Sequence, residues 1–165
     1  MKPISVIGVI SWALISALGG FGYSNWALAN GFHIPVSGVT LSVSVGIVAI
    51  ILLVLALPIW KYKRNLKKVL DAKSTRVKKV LPVDPFYAVK VLLLARAAAV
   101  TASLFIGWHS GVLVKQFTSP VIAQEAIGPN LAAAIGSLLL LAVAFIVVEI
   151  CKLPDDGSKS KSVPA

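Results

Sequence analysis

Residues 36–68 read VSGVTLSVSVGIVAIILLVLALPIWKYKRNLKK, and the change of character after Trp60 decides the fold class. From Val36 to Trp60 there is no Asp, Glu, Lys or Arg, whereas Lys61, Lys63, Arg64, Lys67 and Lys68 crowd the next eight positions. A helix rises about 1.5 Å per residue, so about 20 apolar residues cross the ~30 Å hydrocarbon layer of a bilayer. The run before Trp60 is long enough. Charge is excluded where lipid is the solvent, and positive charge gathers in loops that stay in the cytoplasm.

The same alternation extends outward along the chain. No charged residue occurs from Pro3 to Trp60, and ten of the sixteen basic residues fall between Lys61 and Lys90. Four stretches reach spanning length, at residues 4–22, 36–60, 88–114 and 131–150. Composition agrees: 58% of residues are hydrophobic and mean hydropathy is +0.90, against about 45–50% apolar content in a soluble domain. The expected fold is an all-α membrane protein, an antiparallel bundle of four transmembrane helices. One transmembrane domain covers residues 1–153, with a basic loop at 61–87 and a disordered cytoplasmic tail at 154–165. The net charge of +10 lies mostly beside the spans, which assigns it to orientation in the bilayer rather than to nucleic acid. The lone Cys151 has no partner for an internal disulfide.

Orientation follows from the basic residues. Lys2, the cluster from Lys61 to Lys90, and Lys152, Lys159 and Lys161 are placed in the cytoplasm, so both termini lie inside a plasma membrane. Tyr23 to Pro35 reads as a short external loop rich in turn formers and aromatics, and Lys115 to Asn130 as a second one. The latter ends in Gly128-Pro129-Asn130, a helix-start signal with Asn130 as N-cap. Tyr23, Trp26, Trp108 and Phe117 form an outer aromatic belt, and Trp60, Tyr62, Phe86 and Tyr87 an inner one. Lys2, the first apolar run and Ala27-Leu28-Ala29 also resemble a signal peptide with a cleavage site after Ala29. The run exceeds the usual apolar region of roughly 7–15 residues, and this favours a retained span.

Several features carry candidate mechanism. Ala95, Ala99, Ser103, Gly107 and Gly111 recur every four residues, which predicts a helix-packing stripe along the third span. Arg96 falls well inside that span and Glu149 lies at the matching depth of the fourth. An Arg96–Glu149 pair would lower the cost of burying either charge. In the basic loop, Tyr62, Leu66, Val69, Leu70, Val77, Val80 and Leu81 share one side of a helical wheel. This predicts an amphipathic cytoplasmic helix stopped by Pro82, with Lys61, Lys63, Arg64, Lys67, Lys68, Lys78 and Lys79 as contacts for anionic lipid headgroups. Asp84 and Pro85 form a helix cap that opens the third helix. No spacing predicts a catalytic residue, a metal site or a cofactor. His33, His109 and Glu125 lack the short intervals of a metal site, and Cys151 has no positioned base.

Asp84-Pro85, Leu94-Ala95-Arg96-Ala97, Gly107-Trp108-x-x-Gly111 and Glu149-x-Cys151-Lys152-x-Pro154-Asp155 together resemble an actinobacterial integral-membrane family of unknown function. Its members are often encoded beside folate-pathway enzymes. The resemblance runs from the first helix through Asp156, and it implies a basic residue at the position of Arg96. It implies topology and no activity. The expected function is therefore a non-enzymatic accessory or scaffold of the bacterial cell envelope. The alternative is a small transporter or channel subunit acting as an oligomer. The expected partners are the lipid bilayer, its anionic headgroups, a second copy or another membrane protein.

Overall fold

The computed structural model describes residues 5–71, 84–119 and 124–152. Among these residues there are four α-helices and no strand: α1 (Val6–Ala29), α2 (Val39–Asp71), α3 (Pro85–Thr118) and α4 (Gln124–Cys151). All four are long and apolar enough to cross a membrane. Their outward faces carry large aliphatic side chains, with Ile7 77%, Leu18 74% and Val39 72% exposed. Water would not tolerate such a surface over four helices; lipid tails do.

The helices overrun the boundaries expected from sequence. The Tyr23–Ala29 part of the first expected loop is helical, and the connection shrinks to residues 30–38. Ser24 and Asn25 look like turn formers, yet the buried Ser24 hydroxyl donates back to the Gly20 carbonyl at 2.8 Å, so the helix satisfies its polar group internally. The helix ends at a Schellman motif. Gly31, at φ 75°, lets the Phe32 amide reach the Ala27 carbonyl and its own amide reach Leu28. At the other connection α4 already begins at Gln124, so Pro129 and Asn130 lie inside the helix. Asn130 is therefore not an N-cap. Its side chain is buried and serves a tertiary contact described below.

The Asp84–Pro85 cap is present as read. The Asp84 carboxylate accepts from the Phe86 amide at 2.9 Å, and Pro85 opens the helix. The second span runs without a break to Asp71, so the basic segment starts as the end of the same helix. The remainder of the expected amphipathic stretch and the 154–165 tail lie outside the described residues.

Packing explains which residues the chain keeps small. α2 buries Val45, Ala49, Leu52, Ala56 and Ile59, and α4 buries Ala126, Asn130, Ala133, Ser137, Leu140, Ala144 and Val147. Steps of four and three alternate in both, the interval that keeps a seam facing a neighbour at a shallow crossing angle. α3 contributes Val91, Ala95, Ala98 and Ala102 to the same core. Consecutive helices run in opposite directions, yet the chain neighbours α1 and α2 do not touch among the described residues. Among the described helices α1 packs on α3 alone. Only 11% of its most apolar window is buried, against 33% in α3 and α4, which marks it as the peripheral helix. The register makes α1 and α3 parallel: Ala13 faces Gly107, Ala17 faces Gly111, and Asn25 accepts from Lys115 at 2.8 Å. α2 and α4 are parallel as well, with Val45 beside Gly136 and Lys63 reaching Lys152.

Candidate functional site: a side-opening cleft

The α1–α3 seam is the first element of the site. A Cβ on Gly107 would collide with the backbone of Ala13 and come within 2.9 Å of the Ser16 side chain. One on Gly111 would strike Ala17 and sit 2.8 Å from the Phe21 nitrogen, and one on Gly20 would strike the Trp108 backbone. Glycine is what lets these helices approach so closely. Ser16 then donates to the Leu104 carbonyl at 2.7 Å across the seam.

The four-residue stripe serves two neighbours rather than one. Four residues turn a helix through about 400°, so each step drifts about 40° around the axis. Ala95 and Ala99 accordingly belong to the core with α2 and α4, while Gly107 and Gly111 face α1. Ser103, fully buried, lies between them and bonds the Val100 carbonyl at 2.7 Å. The continuous groove expected from spacing is a spiral.

Because α1 is drawn onto α3 and away from α2, a cleft of about 570 Å³ remains near the end of the bundle that holds the 30–38 connection. Its apolar wall includes Val36, Leu41, Leu104, Phe105 and Trp108. Its polar side chains are Ser16, already bonded to Leu104, and the group Ser37, His109 and Asn130. The Ser37 hydroxyl and His109 Nδ1 are 3.1 Å apart. Asn130 fixes the connection from below: its Oδ1 accepts from the Ser37 amide at 2.9 Å, and its Nδ2 donates to the Pro35 carbonyl at 3.1 Å. Asn130 and His109 are 1% and 5% exposed, while Pro35 and Ser37, their partners in the connection, are half-buried. His109 is six residues before Lys115, about 9 Å deeper along α3. Sequence reading missed this constellation because its three members lie on three separate segments. The usable signals were Asn130 and His109 on otherwise apolar helices and Asn30-Gly31 as a helix stop.

Other candidate residues fall elsewhere. Glu149 is exposed and forms its ion pair with Lys152, one turn on. Arg96 lies half-buried on α3. Lys63, expected among the headgroup contacts, donates to the Lys152 carbonyl at 2.9 Å and the Glu149 carbonyl at 3.4 Å. It thereby caps the end of α4 and ties it to α2. Arg64 lies over the Trp60 ring at 5.4 Å, and Lys61 is exposed. Lys67 and Lys68 lie on the last turns of α2, and Lys78 and Lys79 fall outside the described residues. Tyr87 joins α3 to α2 through a 2.8 Å bond to the Leu55 carbonyl. Among the described residues no three of His, Cys, Asp and Glu come together, so His33, His109 and Glu125 are not assembled into a ligand set.

Comparison with known families gives one result. The profile described as protein of unknown function (DUF3180) matches residues 9–155, and the chain belongs to that family. No curated protein and no solved structure matches it.

Proposed function

We propose that this member of the DUF3180 family is a multi-pass plasma-membrane protein that works without catalysis, as an accessory or scaffold of the cell envelope, with both termini in the cytoplasm. The observation that carries the reading is the filled middle of the bundle. Leu52, Ala56, Ala95, Ala98, Ala99, Ala102, Leu140, Ala144 and Val147 occupy it, each no more than 8% exposed. A solute path is lined by polar or ionisable groups; the side chains that fill this core carry methyl groups, Ser103 and Ser137 bond to carbonyls of their own helices, and Arg96 is half-buried on the same stretch of α3. The non-catalytic reading draws support from the way Asn130 is used beside Ser37 and His109. A hydrolytic triad has a third group that orients the imidazole, whereas Asn130 is engaged by backbone atoms of residues 35 and 37. Placement of the termini rests on the concentration of basic residues beside α2.

Two measurements test this together. In-cell crosslinking from Trp108 and from Lys63 is expected to trap a stable protein neighbour. Proteoliposomes loaded with a metabolite panel are expected to show no protein-dependent flux. Saturable flux without a trapped neighbour would replace the reading with an oligomeric transporter subunit.

A further inference from the structure

We propose that the cleft beside Ser37 and His109 is a binding site for a neutral, single-chain amphiphile that enters sideways from the bilayer and hydrogen-bonds through a carbonyl or hydroxyl head. The proposal is independent of the accessory role. Three observations lead to it.

The first is the opening. α1 and α2 make no contact with each other, so the cleft between them faces the space that lipid tails fill. The wall that a tail would meet is Val36, Leu41, Leu104 and Phe105, with Trp108 beside the polar end. The second is the chemistry of that end. When Ser37 donates to His109 Nδ1, the imidazole keeps its Nε2 proton to offer; when Nδ1 carries the proton, the Ser37 hydroxyl proton is left instead. In both tautomers the pair has one spare donor and one spare acceptor. That pattern suits a carbonyl or hydroxyl. Among the described residues no Asp, Glu, Lys or Arg lines the cleft, so a carboxylate or phosphate head would be drawn in without a counter-charge from them. The third is size. At about 30 Å³ per water-sized unit, 570 Å³ holds about 19 non-hydrogen atoms. This accommodates a compact head and the first part of one chain.

The test uses the full chain in nanodiscs and a monoacylglycerol carrying a diazirine on its acyl chain, with the matching diazirine fatty acid at alkaline pH as the anionic probe. Irradiation and peptide mapping are expected to place monoacylglycerol adducts on Leu41, Leu104 and Phe105. Unlabelled monoacylglycerol is expected to compete them away. Ser37→Ala, which removes one hydrogen bond, is expected to weaken competition about fivefold. Leu41→Trp and Leu104→Trp fill the cleft from α2 and from α3 and are each expected to abolish the adducts while the protein keeps its elution volume and helical spectrum. The proposal is overturned if adducts spread evenly over the lipid-facing residues of α1 and α2. It is also overturned if both tryptophan variants label as the parent does, or if the fatty-acid anion labels the cleft as strongly as the neutral probe.

Discussion

Gly107→Ala adds one methyl group to the 165-residue chain and is expected to detach the first helix from the bundle. The new Cβ would overlap the Ala13 carbonyl of α1 and lie 2.9 Å from both the Ala13 carbonyl carbon and the Ser16 Cβ. Backbone atoms cannot turn aside as a side chain can, so α1 must retreat by about 1 Å or more to bring the Ala13 oxygen out to ordinary contact. Overpacking of this kind costs about 1–3 kcal/mol. The retreat also stretches the 2.7 Å bond from Ser16 to Leu104, which is worth about 0.6 kcal/mol or more inside a membrane. A loss of about 2–3 kcal/mol is therefore expected. Gly19 and Gly22 provide the control, because a Cβ on either meets nothing within 4 Å. The assay is reversible unfolding in mixed micelles, with limited proteolysis to show whether α1 is released before the other helices. Gly107→Ala and Gly111→Ala press on the same stretch of α1, so their effects should combine to less than their sum. If Gly107→Ala unfolds at the same denaturant fraction as Gly19→Ala, the close approach of α1 and α3 is wrong.

Four further outcomes rest on individual residues. Gln116 is 2% exposed and its amide has no hydrogen-bond partner among the described residues. Gln116→Leu should therefore stabilise the bundle by about 1 kcal/mol in the same unfolding assay. Asn130→Ala removes both bonds that hold the connection and should destabilise by about 2–3 kcal/mol, with faster hydrogen exchange at Ser37; Asn130→Leu, of similar volume, should not rescue the exchange rate. Lys63→Met keeps the stem and removes the ammonium that caps α4, so exchange should rise at Glu149 to Lys152 with little change elsewhere. For orientation, Cys151 is the single native thiol, and a membrane-impermeant maleimide should label it in inverted vesicles and not in intact cells.

The class and the number of helices are legible in the sequence because exclusion of charge is a property of each residue's own surroundings. Val36 to Trp60 needs no partner to be read as a span. Helix ends are less legible, since they depend on what neighbouring atoms supply. Tyr23-Ser24-Asn25 reads as a loop until Ser24 is seen bonding Gly20, and Gly128-Pro129-Asn130 reads as a start until Asn130 is seen holding residues 35 and 37. Neighbour choice is the least legible. A stripe at four-residue spacing reads as one face, although the turn angle alone implies a drift, and which helix meets each end is set by tertiary packing. The Lys63 cap belongs to the same group. A lysine after a span reads as loop charge, and its bond to the last carbonyls of α4 is visible only once α2 and α4 are known to run parallel.

The seam and the cleft are one construction. α1 follows α3 because glycine at 20, 107 and 111 permits an approach that larger residues would block. That attraction separates α1 from the helix next to it in sequence, and the 30–38 connection must bridge the resulting gap. Its far end would be free to move if it relied on lipid-facing contacts alone. Asn130 supplies the missing anchor from α4, and in doing so it sets Ser37 against His109. Ser16 belongs to both parts, since it bonds Leu104 across the seam and lines the cleft. A substitution that loosens the seam should therefore change the cleft as well. Gly107→Ala should reduce labelling at Leu104 by the neutral diazirine probe even though residue 107 does not line the cleft. A variant that loses α1 packing and keeps full labelling at Leu104 would show that the two parts are separable.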